Sequence, residues 1–298
     1  MLAANNFTYG LLTPALGYLM SCLGAFLGLR CAALALACSG ASRARWLILG
    51  ALSFGATGIW VMHFIAMLGY SIPGETIRYN VPVTLLSLVT AVVAVGIGLF
   101  AVGFGRGRRG WLPAGGIVAG VGVASVHYID MAGMRMAAGM SASPALLALA
   151  VLIAVAGASA LLWAVPRLHG GWPTMGAALI AGAVVSGLHY TGMAGMHVHA
   201  AAMDAMGTGT SAGGATAEGF LLPLIIGISI IAFILTAVLA LSPTAEEIRA
   251  DAQLLDRIGR HRMENQPGWP LLASGWQGRA RAETDLRRRC QEGPRRPG

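Results

Sequence analysis

Long apolar runs dominate the chain, and short breaks rich in Arg, Gly and Pro separate them. An α-helix needs about 20 mostly apolar residues to cross a bilayer. Runs of this kind lie at 11–29, 46–68, 82–104, 113–134, 144–165, 175–196 and 220–241. The breaks hold Arg43 and Arg45, Pro73–Glu75, Arg106–Arg109, Ser141–Pro144, Arg167–Pro173 and 207–219. The pattern predicts an all-α polytopic membrane protein, a bundle of seven transmembrane helices.

The composition excludes several classes of protein. Of the 298 residues, 56% are apolar and only 11% are charged, whereas soluble domains carry about a quarter charged residues. A cytosolic enzyme, a nucleic-acid binder and a disordered chain are therefore excluded. The net charge of +8 does not indicate nucleic acid, because all 20 basic residues are Arg and 11 of them lie in 246–298. A basic segment beside a bilayer is typical of membrane orientation and of contact with anionic lipid.

The distribution of Arg also predicts the orientation. One set of loops, with the end of the first run, holds seven Arg residues, whereas the opposite loops hold only Arg78 and Arg135. Cytoplasmic loops carry the excess of basic residues. The first run has no basic residue before it, unlike a cleavable signal peptide. We expect a multi-pass protein of the bacterial plasma membrane, with its N-terminus outside and its C-terminus in the cytoplasm.

Glycine is frequent in the apolar runs. The pairs Gly24/Gly28 and Gly116/Gly120 have the GxxxG spacing, which lets two helix backbones approach closely in lipid. A general bias of the composition toward Gly and Ala would explain the same residues, so close packing at these pairs is one of two interpretations.

One short segment occurs three times. The copies are Met62–Met67, Val126–Met131 and Leu188–Met193, and their histidines, His63, His127 and His189, are 64 and 62 positions apart. Each period covers two predicted spans, so all three copies face the same way, in the last third of an even-numbered helix. The shared pattern is His, an aromatic residue, two variable residues and Met.

The repeated side chains are suited to copper. His and Met four positions apart lie on one face of a helix, and imidazole nitrogen with thioether sulfur suits copper, especially Cu(I). The sequence thus predicts an outer metal site formed by His63, Met67, His127, Met131, His189 and Met193. Further candidate ligands are Met62, Met134, Met196, His197 and His199. A lone His or Met in an apolar helix is more often a packing residue, but packing does not require His at the same depth three times.

At these residues the chain resembles the MHYT family of bacterial integral-membrane sensor domains. The matching residues are Met62, His63, Met67, His127, Tyr128, Met131, His189, Tyr190, Thr191 and Met193. The resemblance implies seven spans over about 8–242, three motifs near the outer face, bound copper, and sensing of oxygen, carbon monoxide or nitric oxide. Val126 and Leu188 replace the leading Met of the family motif, and Phe64 replaces its Tyr, so two sulfur atoms of the family pattern are missing.

Three polar residues of the motifs have two interpretations each. Asp130 either orients the imidazole of His127, three positions earlier, or reaches the outer interface beside Arg135, and we favour the interface. Tyr128 and Tyr190 either lie at the membrane interface or donate hydrogen bonds to a bound ligand.

Two other classes of function are weighed against a sensor. A transporter for copper or another small solute needs polar groups across the whole membrane. The inner halves of the motif helices offer only Ser53, Thr57, Ser125 and Ser186. A haem enzyme needs two facing imidazoles deep in the bundle, so we do not expect an enzyme.

The sequence divides into a membrane sensor domain at 1–242 and an Arg-rich cytoplasmic tail at 243–298. Ala245–Ile258 is predicted to form an amphipathic helix, and the residues beyond Asn265 are predicted to be disordered. Related proteins often continue into a catalytic domain, for which this tail is too short. We therefore expect a cytoplasmic signalling partner, reached through the tail.

Overall fold

The computed structural model describes residues 5–105, 110–136, 139–168, 170–199, 214–241, 253–255 and 257–258. Seven helices in it are long and apolar enough to cross a membrane, as the hydropathy pattern predicts. They are α1 (Leu12–Ala37), α2 (Gly40–Leu68), α3 (Val81–Phe104), α4 (Trp111–Gly133), α5 (Pro144–Ala164), α6 (Gly171–Ala194) and α7 (Leu222–Leu241).

The boundary between the first two helices differs from the prediction. The first predicted run ends at residue 29 and the second begins at 46, whereas α1 continues to Ala37 and α2 begins at Gly40. Arg43 therefore lies inside α2 rather than in a loop. Its guanidinium group donates to the carbonyl oxygens of Ala35, Cys38 and Gly103, at 3.3, 3.0 and 3.1 Å. Because these carbonyls lie at the ends of α1 and α3 and need donors, the charged side chain belongs to the packed structure.

Close contacts between backbones hold the helices together. A Cβ atom added at Gly24 of α1 would lie 2.6 Å from Cα of Gly58 in α2, and one added at Gly120 of α4 would lie 2.7 Å from the backbone nitrogen of Val155 in α5. Gly28 and Gly116, the second members of the two GxxxG pairs, face Phe54 and Ser159 equally closely. The packing interpretation of both pairs is confirmed.

Helix α2 is α-helical at both ends and π-helical over Ser53–Val61. The wider turns end one residue before Met62, where the first motif begins. Such segments are rare and are often found at functional sites, because they change the direction in which the following side chains point. The sequence pattern does not reveal this change, since an apolar run fits either helix type.

Short strands connect the helices at one end of the bundle, here called the strand end. Strand β1 (Arg78–Tyr79) pairs with β2 (Met134–Arg135), and β3 (Gly139–Ala142) pairs with β4 (Met196–His199), both antiparallel. The N-terminal segment also lies here, because Asn5 pairs with Ser71 and the backbone N–H of Thr8 donates to the carbonyl of Gly69 at 3.0 Å. These strands were not predicted, since two to four residues are too few to show a periodic pattern.

Some predictions concern residues that the structure does not describe. The Arg106–Arg109 cluster and most of 243–298 lie outside the described residues, and within the predicted tail helix only 253–255 and 257–258 are described, as helical. The division into domains at residue 242 and the orientation of the two termini stay predictions.

Candidate metal centre

The three repeated histidines meet at the strand end of the bundle. His63 of α2, His127 of α4 and His189 of α6 are each 3% exposed. Their ring centroids are 5.3 Å apart for His63 and His127, 4.9 Å for His63 and His189, and 5.2 Å for His127 and His189. Each ring stands nearly perpendicular to the other two, with interplanar angles of 78° to 88°. We call this group the histidine triad.

The nitrogen atoms of the triad converge. Nδ1 of His63 lies 3.0 Å from Nδ1 of His189, and one nitrogen of each ring lies within 4.8 Å of one nitrogen of the other two. Both ring nitrogens of His127 and Nε2 of His63 are buried without a hydrogen-bond partner. Since a buried polar group without a partner is costly, the ring nitrogens of His127 in particular are suited to receive a ligand.

The methionines of the motifs are buried around the triad helices. Met67, Met131 and Met193 belong to the main apolar cluster of the bundle, as do Met62 and Met134. The side chain of Met62 packs on α1, where its sulfur lies 3.8 Å from the position of a Cβ added at Gly17. Met196 is half-buried in β4. Coordination through sulfur stays a prediction for each of them.

Two further candidate ligands lie apart from the triad. His197 and His199 are on β4, where the ring of His197 bonds to the carbonyl of Gly195 and the ring of His199 bonds to the hydroxyl of Ser141, at 3.1 and 2.8 Å. In the described part of the chain, the one group of three or more His, Cys, Asp or Glu side chains that could hold a metal consists of His63, His127 and His189. The sequence suggested His197 and His199 as further ligands because they follow the third motif closely along the chain, but they lie on β4, beyond the end of α6.

Asp130 does not reach the membrane interface. It is 1% exposed, and its carboxylate lies between His63 and Ser87 rather than beside Arg135, which is paired along β2 with Arg78. The interface interpretation is wrong, because α4 turns this position toward the bundle. The other interpretation named the wrong imidazole, since the histidine that faces the carboxylate is His63 of a neighbouring helix.

Aromatic side chains surround the triad. The hydroxyl groups of Tyr128 and Tyr190 are both buried without a hydrogen-bond partner, and the Tyr190 ring stacks on Phe7 of the N-terminal segment at 5.9 Å. Tyr79 of β1 packs edge-on against Phe64, with the ring centroids 5.7 Å apart. Burial, with a smaller contribution from the charge of Asp130, raises the pKa of the Tyr79 phenol, so this side chain stays neutral.

Sequence reasoning missed three residues of the site. Ser87 donates a hydrogen bond to Asp130, Trp60 donates to Ser87 at 3.0 Å, and Gly192 leaves room for the ring of His127. Trp60 and Gly192 could have been found from the sequence, because Trp60 lies three positions before His63 and Gly192 lies three positions after His189. Nothing in the pattern singles out Ser87 among the other serines of the apolar runs.

The fold and the triad define the class of protein: an integral-membrane helical bundle with a buried polar centre. Two stretches, 57–115 and 120–178, match the family described as MHYT, the bacterial signalling protein N-terminal repeat. These two stretches of the chain are therefore MHYT repeats. The first match contains His63 and the second contains His127, whereas His189 lies beyond them and is added to the site by the fold.

The relatives of the chain are bacterial signalling proteins. It is 36% identical over 194 residues to the bifunctional diguanylate cyclase/cyclic di-GMP phosphodiesterase MucR of Pseudomonas aeruginosa, with 63% of this chain and 28% of the relative covered. It is 35% identical over 201 residues to the cyclic di-GMP phosphodiesterase NbdA of the same species, with 64% and 25% covered. An uncharacterized signaling protein of Caulobacter vibrioides is 34% identical over 161 residues, with 53% and 19% covered.

The chain thus spans about a quarter of the length of MucR and NbdA. The matching region is the membrane sensor part, and the chain is a multi-pass protein of the plasma membrane. No solved structure shows significant similarity to it.

Proposed function

We propose that the chain is a membrane sensor module that binds copper at the histidine triad and responds to a diatomic gas. The observation that carries the copper proposal is the convergence of three buried imidazoles, two of which have nitrogens without a hydrogen-bond partner. The proposed site is a binding site and not a catalytic one. Its output passes to a cytoplasmic partner, and the names of MucR and NbdA favour an enzyme of cyclic di-GMP turnover as that partner.

The residues of the triad fit a copper ion. Three nitrogens that bind one ion in a plane at about 2.0 Å lie about 3.5 Å from one another. The nitrogens of the triad lie within 4.8 Å of one another, with one pair at 3.0 Å. Small rotations of the rings therefore suffice to hold an ion. Imidazole suits several metals, and the buried thioethers of Met67, Met131 and Met193 favour copper, especially Cu(I), among them.

An apolar cavity of about 50 Å³ supports the gas part of the proposal. Ile59, Val123 and Val185 line it, and each precedes a triad histidine by four positions. The cavity therefore lies about one turn of helix from the triad, on its side toward the middle of the bundle. Apolar spaces of this kind can take up small apolar molecules. Carbon monoxide added to Cu(I)-loaded protein should give a C–O stretching band that the triad variant below lacks.

Sensing is favoured over transport by the polar side chains further from the triad. The hydroxyl groups of Ser53 and Ser125 donate to the carbonyls of Leu49 and Val121, four positions earlier in the same helix, at 2.7 and 2.8 Å. A transport path needs polar groups that are free to hold the solute. Uptake of copper into sealed vesicles that contain the purified protein would reverse this preference.

The test is the copper content of purified protein and its variants. Replacement of His63, His127 and His189 by Ala should abolish the binding of Cu(I), while the protein still inserts into the membrane. The matched control replaces His197 and His199 by Ala, which removes two histidines near the same end but outside the triad and should leave the copper content unchanged. Equal copper in the two variants would contradict the site.

A further inference from the structure

Asp130 is the polar residue that distinguishes one of the three motif copies. Ala66 and Gly192 occupy the same position in the first and third copies. A carboxylate is costly to bury in a membrane bundle unless it has partners, and Asp130 is 1% exposed. Packing does not explain an acidic side chain here, since the other two copies pack with Ala or Gly.

The carboxylate of Asp130 is held on one side by a chain of hydrogen bonds. Ser87 of α3 donates from its hydroxyl group to Oδ1 of Asp130. Trp60 of α2 donates from its indole N–H to the hydroxyl oxygen of Ser87 at 3.0 Å. Trp60, Ser87 and Asp130 are all buried, so α2, α3 and α4 together fix the position of the carboxylate.

The other side of the carboxylate faces the triad. Oδ2 of Asp130 lies 3.6 Å from Nε2 of His63, and neither atom has a hydrogen-bond partner. This distance is longer than a hydrogen bond, so the pair is an electrostatic contact in the structure. Nδ1 of His63, on the opposite edge of the same ring, faces His189. The ring of His63 thus lies between the carboxylate and the centre of the triad.

We propose that Asp130 is the positioning residue that makes Nδ1 of His63 the metal-binding atom of this ring. A neutral imidazole carries one proton, and a carboxylate beside Nε2 selects the form with the proton on Nε2. The lone pair of Nδ1 is then directed to the centre of the triad. A cation held at Nδ1 would make Nε2–H of His63 a stronger hydrogen-bond donor toward Oδ2 of Asp130. This inference rests on the triad being a cation site.

The matching position of α6 has no room for a carboxylate. At Gly192, the matching residue of α6, an added Cβ atom would lie 2.7 Å from Cδ2 of His127. A side chain there would push the ring of His127 away from the triad. The three motif helices therefore have different roles. Helix α4 supplies the carboxylate, α2 supplies the histidine that it orients, and α6 supplies the glycine that the His127 ring approaches.

The variant D130N tests the proposal because its amide has nearly the same shape as the carboxylate. If Ser87 still donates to the side-chain oxygen, the amide presents N–H to Nε2 of His63, and the proton of the imidazole moves to Nδ1. The affinity for Cu(I), measured by competition with a chromophoric chelator, should fall about 10–100-fold, the usual effect of removing a residue that orients a metal ligand. An unchanged affinity would overturn the proposal.

A second measurement does not need copper. Nitrogen-15 spectra of histidine-labelled, metal-free protein should show the Nε2–H form of His63 in the wild type and the Nδ1–H form in D130N, and the same form in both would overturn the proposal. If the wild type binds no copper, the proposed function fails, and these spectra still decide the role of Asp130. A merely structural carboxylate would change the melting temperature without changing the form of His63.

A pair of serine variants serves as the control. S87A removes the hydroxyl group that holds Asp130 and should weaken Cu(I) binding in the same direction as D130N, but less. S125A removes a hydroxyl group of α4 that donates only to the carbonyl of Val121, and it should bind copper as the wild type does. Equal affinities in S87A and S125A would show that the chain of hydrogen bonds does not support the site.

Discussion

At the scale of single residues, some positions of the motif are the same in all three copies and others differ. The three histidines supply the same group three times, whereas the residue three positions after each histidine is Ala66, Asp130 or Gly192. Asp130 faces His63, and Gly192 lets His127 approach the backbone of α6. The repeat therefore keeps the histidines, which are the proposed ligands, and differs where neighbouring helices meet.

The variant G192A should disturb the triad without changing any ligand. The new methyl group would overlap the His127 ring, which is buried and cannot move freely. We expect the affinity for Cu(I) to fall about tenfold or more, since overpacking costs about 1–3 kcal/mol and each 1.4 kcal/mol is a factor of ten. The control is G187A in the same helix, where an added Cβ meets nothing within 4 Å. Equal copper affinities in the two variants would contradict this account of Gly192.

At the scale of elements, glycines determine how closely the helices pack. Gly120 brings the backbones of α4 and α5 together, and Gly24 does the same for α1 and α2. Without a hydrophobic driving force between helices in lipid, such contacts supply packing energy through close approach. The π-helical stretch of α2 lies in this packed region, because Gly58 faces α1 and an added Cβ at Gly55 would lie 2.7 Å from Cα of Val92 in α3.

The variant G120A should lower the stability of the bundle. Its methyl group would meet the backbone of Val155, which has no rotamer to move aside, so the cost lies toward the upper end of about 1–3 kcal/mol. Ala gains only about 1 kcal/mol over Gly in helix propensity. A thermal melt in detergent should show a lower midpoint for G120A and an equal or higher one for G96A, whose added Cβ would lie at an ordinary 3.6 Å from Ala51. A midpoint of G120A at or above that of the wild type would contradict the packing account.

At the scale of the whole molecule, the triad joins helices that begin at the opposite end of the bundle. Motif helices α2, α4 and α6 begin at Gly40, Trp111 and Gly171, far along the chain from their histidines. Near the start of α2, Arg43 links this helix to the ends of α1 and α3. A ligand that prefers one packing of these helices over another changes both ends together.

Copper loading should therefore change the protease sensitivity of the chain beyond Pro243. We expect the rate of limited proteolysis there to differ between metal-free and Cu(I)-loaded protein in vesicles, because the motif helices shift at both ends. The variant without the three triad histidines is the control and should show one rate under both conditions. Identical rates in wild-type protein that carries copper would indicate a metal-binding protein without this coupling.

The sequence by itself determined the seven helices, the three motifs and the resemblance to the MHYT family. Hydropathy is a local property, so an apolar run of sufficient length is a membrane span in any packing. The same holds for the equal depth of His63, His127 and His189, since depth follows from position along a helix.

Only the tertiary structure decided which side chains meet. The partner of Asp130, the exclusion of His197 and His199 from the triad and the contact of Gly192 with His127 all depend on the rotation and the distance of neighbouring helices. Arg43 is a second example, at the other end of the bundle. The pattern placed this charge in a loop, but its guanidinium group donates to carbonyl oxygens of α1 and α3. The rotation of each helix follows from contacts between residues far apart in the chain. A pattern of residues along the sequence does not contain these contacts.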